Sequence, residues 1–136
     1  MNLIFLDIDG VLVTARTRWN EADQQCVTAL NRIIRTASTG IVVSSCWRVG
    51  REVIELRELL LGWGVIAKVI DRTGEMRGSR GEEINVWLEA YSREVEKFVI
   101  LDDDADMAHL VDRLVRTKSD VGLTEADADC AIRMLL

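Results

Sequence analysis

The chain has 136 residues, 49% hydrophobic and 29% charged, with a formal net charge of −6 and a slightly positive mean hydropathy. These values predict one folded domain over residues 1–136 with a sizeable core, and they exclude disorder and broad, nonspecific adhesion to nucleic acid, which needs many cations to displace counterions. Apolar runs fall short of the ~20 residues of a membrane span, Asp7 and Asp9 interrupt the N-terminal run that a signal peptide would need, and Cys26, Cys46 and Cys130 lack CxxC spacing; a cytoplasmic protein with reduced thiols is expected.

Along the chain, strands and helices alternate. Asn2 to Ile8 is a near-continuous apolar run, as expected of a strand covered on both faces. A helix capped by Asn20 follows, with Val27, Leu30, Ile33 and Ile34 on one face, until Gly40 stops it. Ile41 to Ser45 is the next strand, and Val53, Ile54, Leu56, Leu60 and Leu61 mark a helix that ends around Gly62 to Gly64. Val65 to Ile70 gives a third strand, Gly81 to Tyr91 a helix with Ile84, Trp87 and Leu88 inward, and Lys97 to Leu101 a fourth strand. A short helix carrying Met107, Leu110 and Val111 precedes an edge strand over Leu114 to Thr117. Thr124 with Asp127 forms a capping box for the last helix, whose Ala128, Ile132 and Leu135 face inward. The alternation predicts a three-layer α/β fold around a mainly parallel sheet of about five strands, with ligands at the carboxyl ends of the strands.

Unusual residues collect at those ends: Asp7 and Asp9 after the first strand, Ser44 and Ser45 after the second, Asp71 after the third, and Asp102, Asp103 and Asp104 after the fourth. Any one of these aspartates is explained by loop capping. Two acidic clusters, each following an apolar strand, are better explained by a shared cation, and an all-oxygen ligand set suits Mg2+. Magnesium held by few carboxylates completes its shell with water and phosphate. The Ser44 hydroxyl and a guanidinium from Arg77 or Arg80 are then candidates for the remaining phosphate oxygens, with Arg48 as a further substrate contact. One aspartate of the first pair can attack phosphorus, and the other, two residues on, can protonate the leaving alcohol and activate water.

Phe5-Leu6-Asp7-Ile8-Asp9-Gly10-Val11-Leu12, Val42-Val43-Ser44-Ser45, Arg80 at the start of a helix, and Ile100-Leu101-Asp102-Asp103 resemble, in this order, the four motifs of the haloacid dehalogenase (HAD) phosphatase superfamily. The resemblance implies a Rossmann-like HAD fold with Asp7 as nucleophile and Asp9 as general acid and base. It also implies Ser44 and Arg80 on the phosphoryl group, and Asp7, Asp102, Asp103 and the backbone carbonyl of Asp9 around Mg2+. Arg80 stands where the superfamily normally has lysine, which makes it a fixed positive charge and no proton carrier; Arg77 is its rival, as Ser45 is of Ser44. The spacing between motifs leaves no room for a cap domain, and capless members act on macromolecular phosphates. Ser44-Ser45-Cys46-Trp47-Arg48, Arg80-Gly81-Glu82-Glu83-Ile84 with Trp87-Leu88, and Gly122-Leu123-Thr124 further resemble the HAD domain of "Swiss Army Knife" RNA-repair proteins, which implies removal of terminal phosphates from RNA or DNA ends.

Other readings are a phosphoprotein or small-metabolite phosphatase of the same fold, a receiver-like signalling module with Asp71 as phosphoacceptor and Lys118 as its lysine, and an inactive phosphate-binding module. A cysteine phosphatase is excluded, because position 52, where its loop needs arginine, is Glu52. Trp47, Trp63 and Trp87 are assigned to packing, Trp19 is ambiguous, and His109 is not expected to be catalytic.

Overall fold

The computed structural model describes residues 1–18, 20–75 and 78–136. Asn2–Leu6 (β1) is buried on both faces, and the period-two alternation of a strand divides its side chains between two cores. Leu3 and Phe5 face one side, with Ile84, Trp87 and Met107. Ile4 and Leu6 face the other, with Leu30, Ile33 and Ala131.

Four further strands, Thr39–Val43 (β2), Val69–Arg72 (β3), Lys97–Asp102 (β4) and Leu114–Arg116 (β5), complete a parallel sheet in the order β3-β2-β1-β4-β5. Gln24–Ala37 (α1), Val53–Gly62 (α2) and Glu125–Leu135 (α4) supply Leu30, Leu56 and Ala131 to the core on one face. Arg80–Tyr91 (α3) and a 3₁₀ segment, Ala108–Arg113, cover the other with Ile84 and Leu110. This is the expected three-layer Rossmann-like α/β fold, and no cap interrupts it among the described residues.

The structure departs from the sequence reading where tertiary contacts decide an element's end. α1 begins at Gln24 and is capped by Asp23, not Asn20. Asp23 wins because its Oδ1 accepts from the Gln25 N–H at 3.0 Å while its Oδ2 receives the Thr14 hydroxyl at 3.0 Å and Arg16 Nε at 2.9 Å. The helix stops at Ala37 with Ser38 left-handed, so Gly40 lies within β2. β3 starts at Val69, not Val65, because the backbone just before it is already used: the Val65 N–H donates to Leu60 and the Ile66 N–H to the Asn31 side chain. β1 ends at Leu6, where the chain turns into the site.

Candidate active site

Sheet register builds the site. Leu6 of β1 is paired with Val43 of β2 on one side and Leu101 of β4 on the other. The next residue of each strand is therefore Asp7, Ser44 and Asp102, and the three stand side by side at the carboxyl edge of the central strands. Backbone bonds fix them: the Asp7 N–H donates to Leu101 at 2.9 Å and the Ser44 N–H to Leu6 at 3.0 Å. All three are buried.

Asp103 joins them from the turn after β4, so that Asp7, Asp102 and Asp103 each place a carboxylate oxygen within 4.8 Å of the others. Gly10 makes room for this approach, since it is left-handed (φ +80°) and a Cβ there would overlap the Asp103 carboxylate. Thr117, just after β5, bridges the two segments: its N–H donates to the Asp102 carbonyl at 2.9 Å and its hydroxyl to the Gly10 carbonyl at 2.6 Å. Hard, anionic oxygens in this arrangement fit a small divalent cation such as Mg2+.

One cation is built in. Arg80 opens α3, and its NH1 lies 2.8 Å from Asp102 Oδ2 and 3.1 Å from Asp7 Oδ1. A single guanidinium does not neutralise the group. Burial, then the neighbouring Asp102, push the Asp7 carboxyl up to about 8 despite the opposing pull of Arg80. Burial likewise raises Asp102, opposed by Arg80. The metal-free pair thus retains a proton near neutral pH, and a divalent ion would displace it. Burial alone would lower Arg80, yet the two carboxylates hold its pKa above the ordinary arginine value.

The Ser44 hydroxyl is fully buried and has no hydrogen-bond partner among the described residues. Buried hydroxyls are almost always satisfied, so an orphan at a strand end beside three carboxylates and a guanidinium points to a ligand atom. Ser45 is engaged otherwise: its hydroxyl caps the 3₁₀ turn Cys46–Arg48 by accepting from the Trp47 N–H. Asp9 stands apart from the acidic group. Asp9 is exposed, and its carboxylate accepts a 2.9 Å hydrogen bond from the Trp47 indole at Oδ2. The indole packs edge-on against Trp63, with ring centroids 5.4 Å apart, and lies under the Arg51 guanidinium.

A family model described as the HAD domain in Swiss Army Knife RNA repair proteins matches residues 3–128. The chain belongs to this family. No curated protein and no solved structure matches it. The acidic group of this HAD domain fits a HAD-type phosphatase. Among its described residues, no helix is long and apolar enough to cross a membrane.

Of the sequence-predicted site residues in the HAD domain, Asp7, Ser44, Arg80, Asp102 and Asp103 converge, with Asp9 at their border. The Arg48 guanidinium is turned to the protein itself. It is buried, pairs with Glu83, and donates to the carbonyls of Ser45 at 2.8 Å and Thr73 at 3.0 Å, so it pins the turn after β2 to the loop after β3. Its burial and full set of partners explain the correction, because a guanidinium so enclosed has no donor left for a ligand. Asp71 is not a phosphoacceptor either. It lies within edge strand β3, with Oδ2 accepting from the Trp87 indole at 2.7 Å, so the receiver reading is set aside. Arg77 and Trp19 fall outside the described residues. His109 is exposed on the 3₁₀ segment. Trp47, assigned to packing on sequence, is the residue that was missed; the signal was its position three residues after Ser44, at the same sheet edge.

Gly81 was also missed. A Cβ on Gly81 would overlap the backbone of Met107, and its N–H donates to Asp106 at 3.0 Å. This close approach carries Arg80 to Asp102. Gly81→Ala is expected to lower stability by ~1–3 kcal/mol, the usual cost of overpacking, and a thermal melt unchanged from wild type would contradict the close approach.

Proposed function

We propose that this HAD domain is a magnesium-dependent phosphomonoester hydrolase that forms an aspartyl-phosphate on Asp7 and removes terminal phosphates from polynucleotides. The observation that carries the reading is the convergence of Asp7, Asp102 and Asp103 with one guanidinium between them. Asp7, Asp102, Asp103 and the Asp9 carbonyl would hold Mg2+, which when bound supplies charge stabilisation at the phosphoryl oxygens.

The chain's own residues do the rest. Arg80 and the Ser44 hydroxyl hold the phosphoryl oxygens and fix phosphorus in front of Asp7. An Asp7 carboxylate oxygen attacks phosphorus; the bond to the leaving oxygen breaks, and that oxygen takes a proton from Asp9. Asp9, now a carboxylate, accepts a proton from water as the water oxygen attacks phosphorus. The bond to Asp7 then breaks, which returns the carboxylate and releases orthophosphate. Trp47 holds the Asp9 carboxylate in place through both proton transfers.

With no cap among the described residues, the carboxyl edge of the sheet is open to the end of a large molecule, and the family's own description concerns RNA repair proteins. Both support a polynucleotide over a metabolite. The test is a panel of 3′-phosphorylated oligonucleotides, phosphopeptides and small phosphate esters at equal concentration. Phosphate release is expected to be fastest from the oligonucleotides, abolished by EDTA and restored by Mg2+. Preference for small esters or phosphopeptides would reject the substrate assignment, and full activity in EDTA would reject the metal.

A further inference from the structure

We propose that the cavity beside Asp9 is the subsite for the leaving group, and that it selects alcohols bearing a second phosphate. The proposal rests on the hydrolase reading above. The cavity measures about 580 Å³, and Asp9, Thr14, Arg18, Trp47 and Arg51 are among its lining residues. That volume lies within the range of small-ligand sites.

Its location gives it a chemical role. Asp9 protonates the departing oxygen, so the group to which the phosphate was attached must lie on Asp9's side of phosphorus. The cavity is the concave space on that side. Its charge is unlike that of the chain as a whole, which carries −6. Arg16, Arg32, Arg48 and Arg80 are each paired with a carboxylate. Among the described residues Arg18 and Arg51 belong to the arginines for which no carboxylate partner is found, and these two line the cavity together.

Arg51 is also held ready for a ligand. Its NH1 donates to the Trp47 carbonyl at 2.9 Å, and its guanidinium carbon lies 5.4 Å from the Trp47 ring centroid. These contacts restrict the side chain while leaving most of its five N–H donors unused. A guanidinium so oriented suits the bidentate geometry of phosphate, and Arg18 at the exposed rim adds a second positive charge. The chemistry recognised is therefore a phosphomonoester whose alcohol carries another phosphate. A polynucleotide end meets that description through its neighbouring internucleotide phosphate, and a small bisphosphate does so as well.

The test compares adenosine 3′-monophosphate with adenosine 3′,5′-bisphosphate, and fructose 6-phosphate with fructose 1,6-bisphosphate. Each pair is measured as kcat/KM in the wild type and as Kd, by calorimetry in Mg2+, in Asp7→Asn. The bisphosphate of the adenosine pair is expected to gain about tenfold or more, the usual scale for a charged hydrogen bond. Arg18→Gln and Arg51→Gln should each reduce that gain, and Arg93→Gln, which removes a charge near the opposite end of the sheet, should leave it intact. An equal gain in the fructose pair means that the second charge alone is read; a gain confined to adenosine adds the base to the recognition. Equal values within the adenosine pair, or a gain unmoved by both cavity variants, overturn the subsite while leaving the hydrolase reading standing. If the wild type releases no phosphate yet the Kd contrast persists in Asp7→Asn, the hydrolase reading fails and the leaving-group role falls with it, while the cavity's recognition of a second phosphate stands.

Discussion

Asp7→Asn is expected to lower phosphate release by ~10³-fold or more while making the metal-free protein harder to melt. The two effects share one cause. Asp7 is a carboxyl crowded against Asp102 in a buried site, raised to about 8 from an ordinary value of 3.8. Between those two values the native state binds more protons at this position than the unfolded chain does. Stability from Asp7 is therefore fully present below about pH 4, declines as pH rises, and is lost once pH passes about 8. Asparagine has the same shape and no charge to bury, so its advantage should grow across that window and level off above it. A gain of ~5 °C in EDTA at pH 8 is the expected scale. Mg2+ should raise the midpoint of the wild type more than that of the variant, because the ion neutralises the repulsion that the substitution has already removed. A variant melting below the wild type in EDTA at pH 8 would contradict the electrostatic account of the site.

Asp9→Asn should separate substrates by their leaving groups. An alkoxide needs a proton as it departs, so hydrolysis of alkyl phosphates is expected to fall by ~10² to 10⁴-fold. A nitrophenolate leaves without protonation, and release from the aryl ester should suffer far less in the first step. Trp47→Phe keeps the ring against Trp63 and deletes only the N–H that holds Asp9 Oδ2. It should reproduce the same pattern at smaller size, ~10-fold for alkyl esters, with the pH profile of kcat displaced. Equal losses on both ester types would assign Asp9 and Trp47 to binding and not to proton transfer.

The central strands and the acidic cluster were readable from the sequence because burial on both faces leaves little choice of residue. In β4 the apolar run 98–101 leads straight into Asp102, the strand's last residue, whereas β1 stops at Leu6, two residues short of the Ile8 to which the sequence reading carried it. The Thr124 capping box of α4 was readable for a related reason, since its partners lie three residues apart. Arg48 was not, because an arginine beside a phosphate motif has the same letter whether it turns outward or inward. Only Glu83 and the carbonyls of Ser45 and Thr73, brought in by other elements, decide the matter. The same holds for α1, where Asn20 and Asp23 are both good caps and the choice falls to Thr14 and Arg16. Trp47 lay in plain view, but its indole N–H acquires meaning only once β1 and β2 are neighbours.

The ladder that aligns Leu6 with Val43 and Leu101 has a mechanical consequence. Asp7, Ser44 and Asp102 inherit their spacing from the last rungs of the three central strands, where the Asp7 and Ser44 N–H groups carry the ladder one step further. Those strands have a neighbour on either side, so heating should leave the three groups in register for as long as the centre of the sheet holds. Thr14, Arg18 and Arg51 sit on connecting segments outside that ladder. Exchanging those segments would alter what is held beside the phosphate while the rigid frame that handles phosphorus stays unchanged.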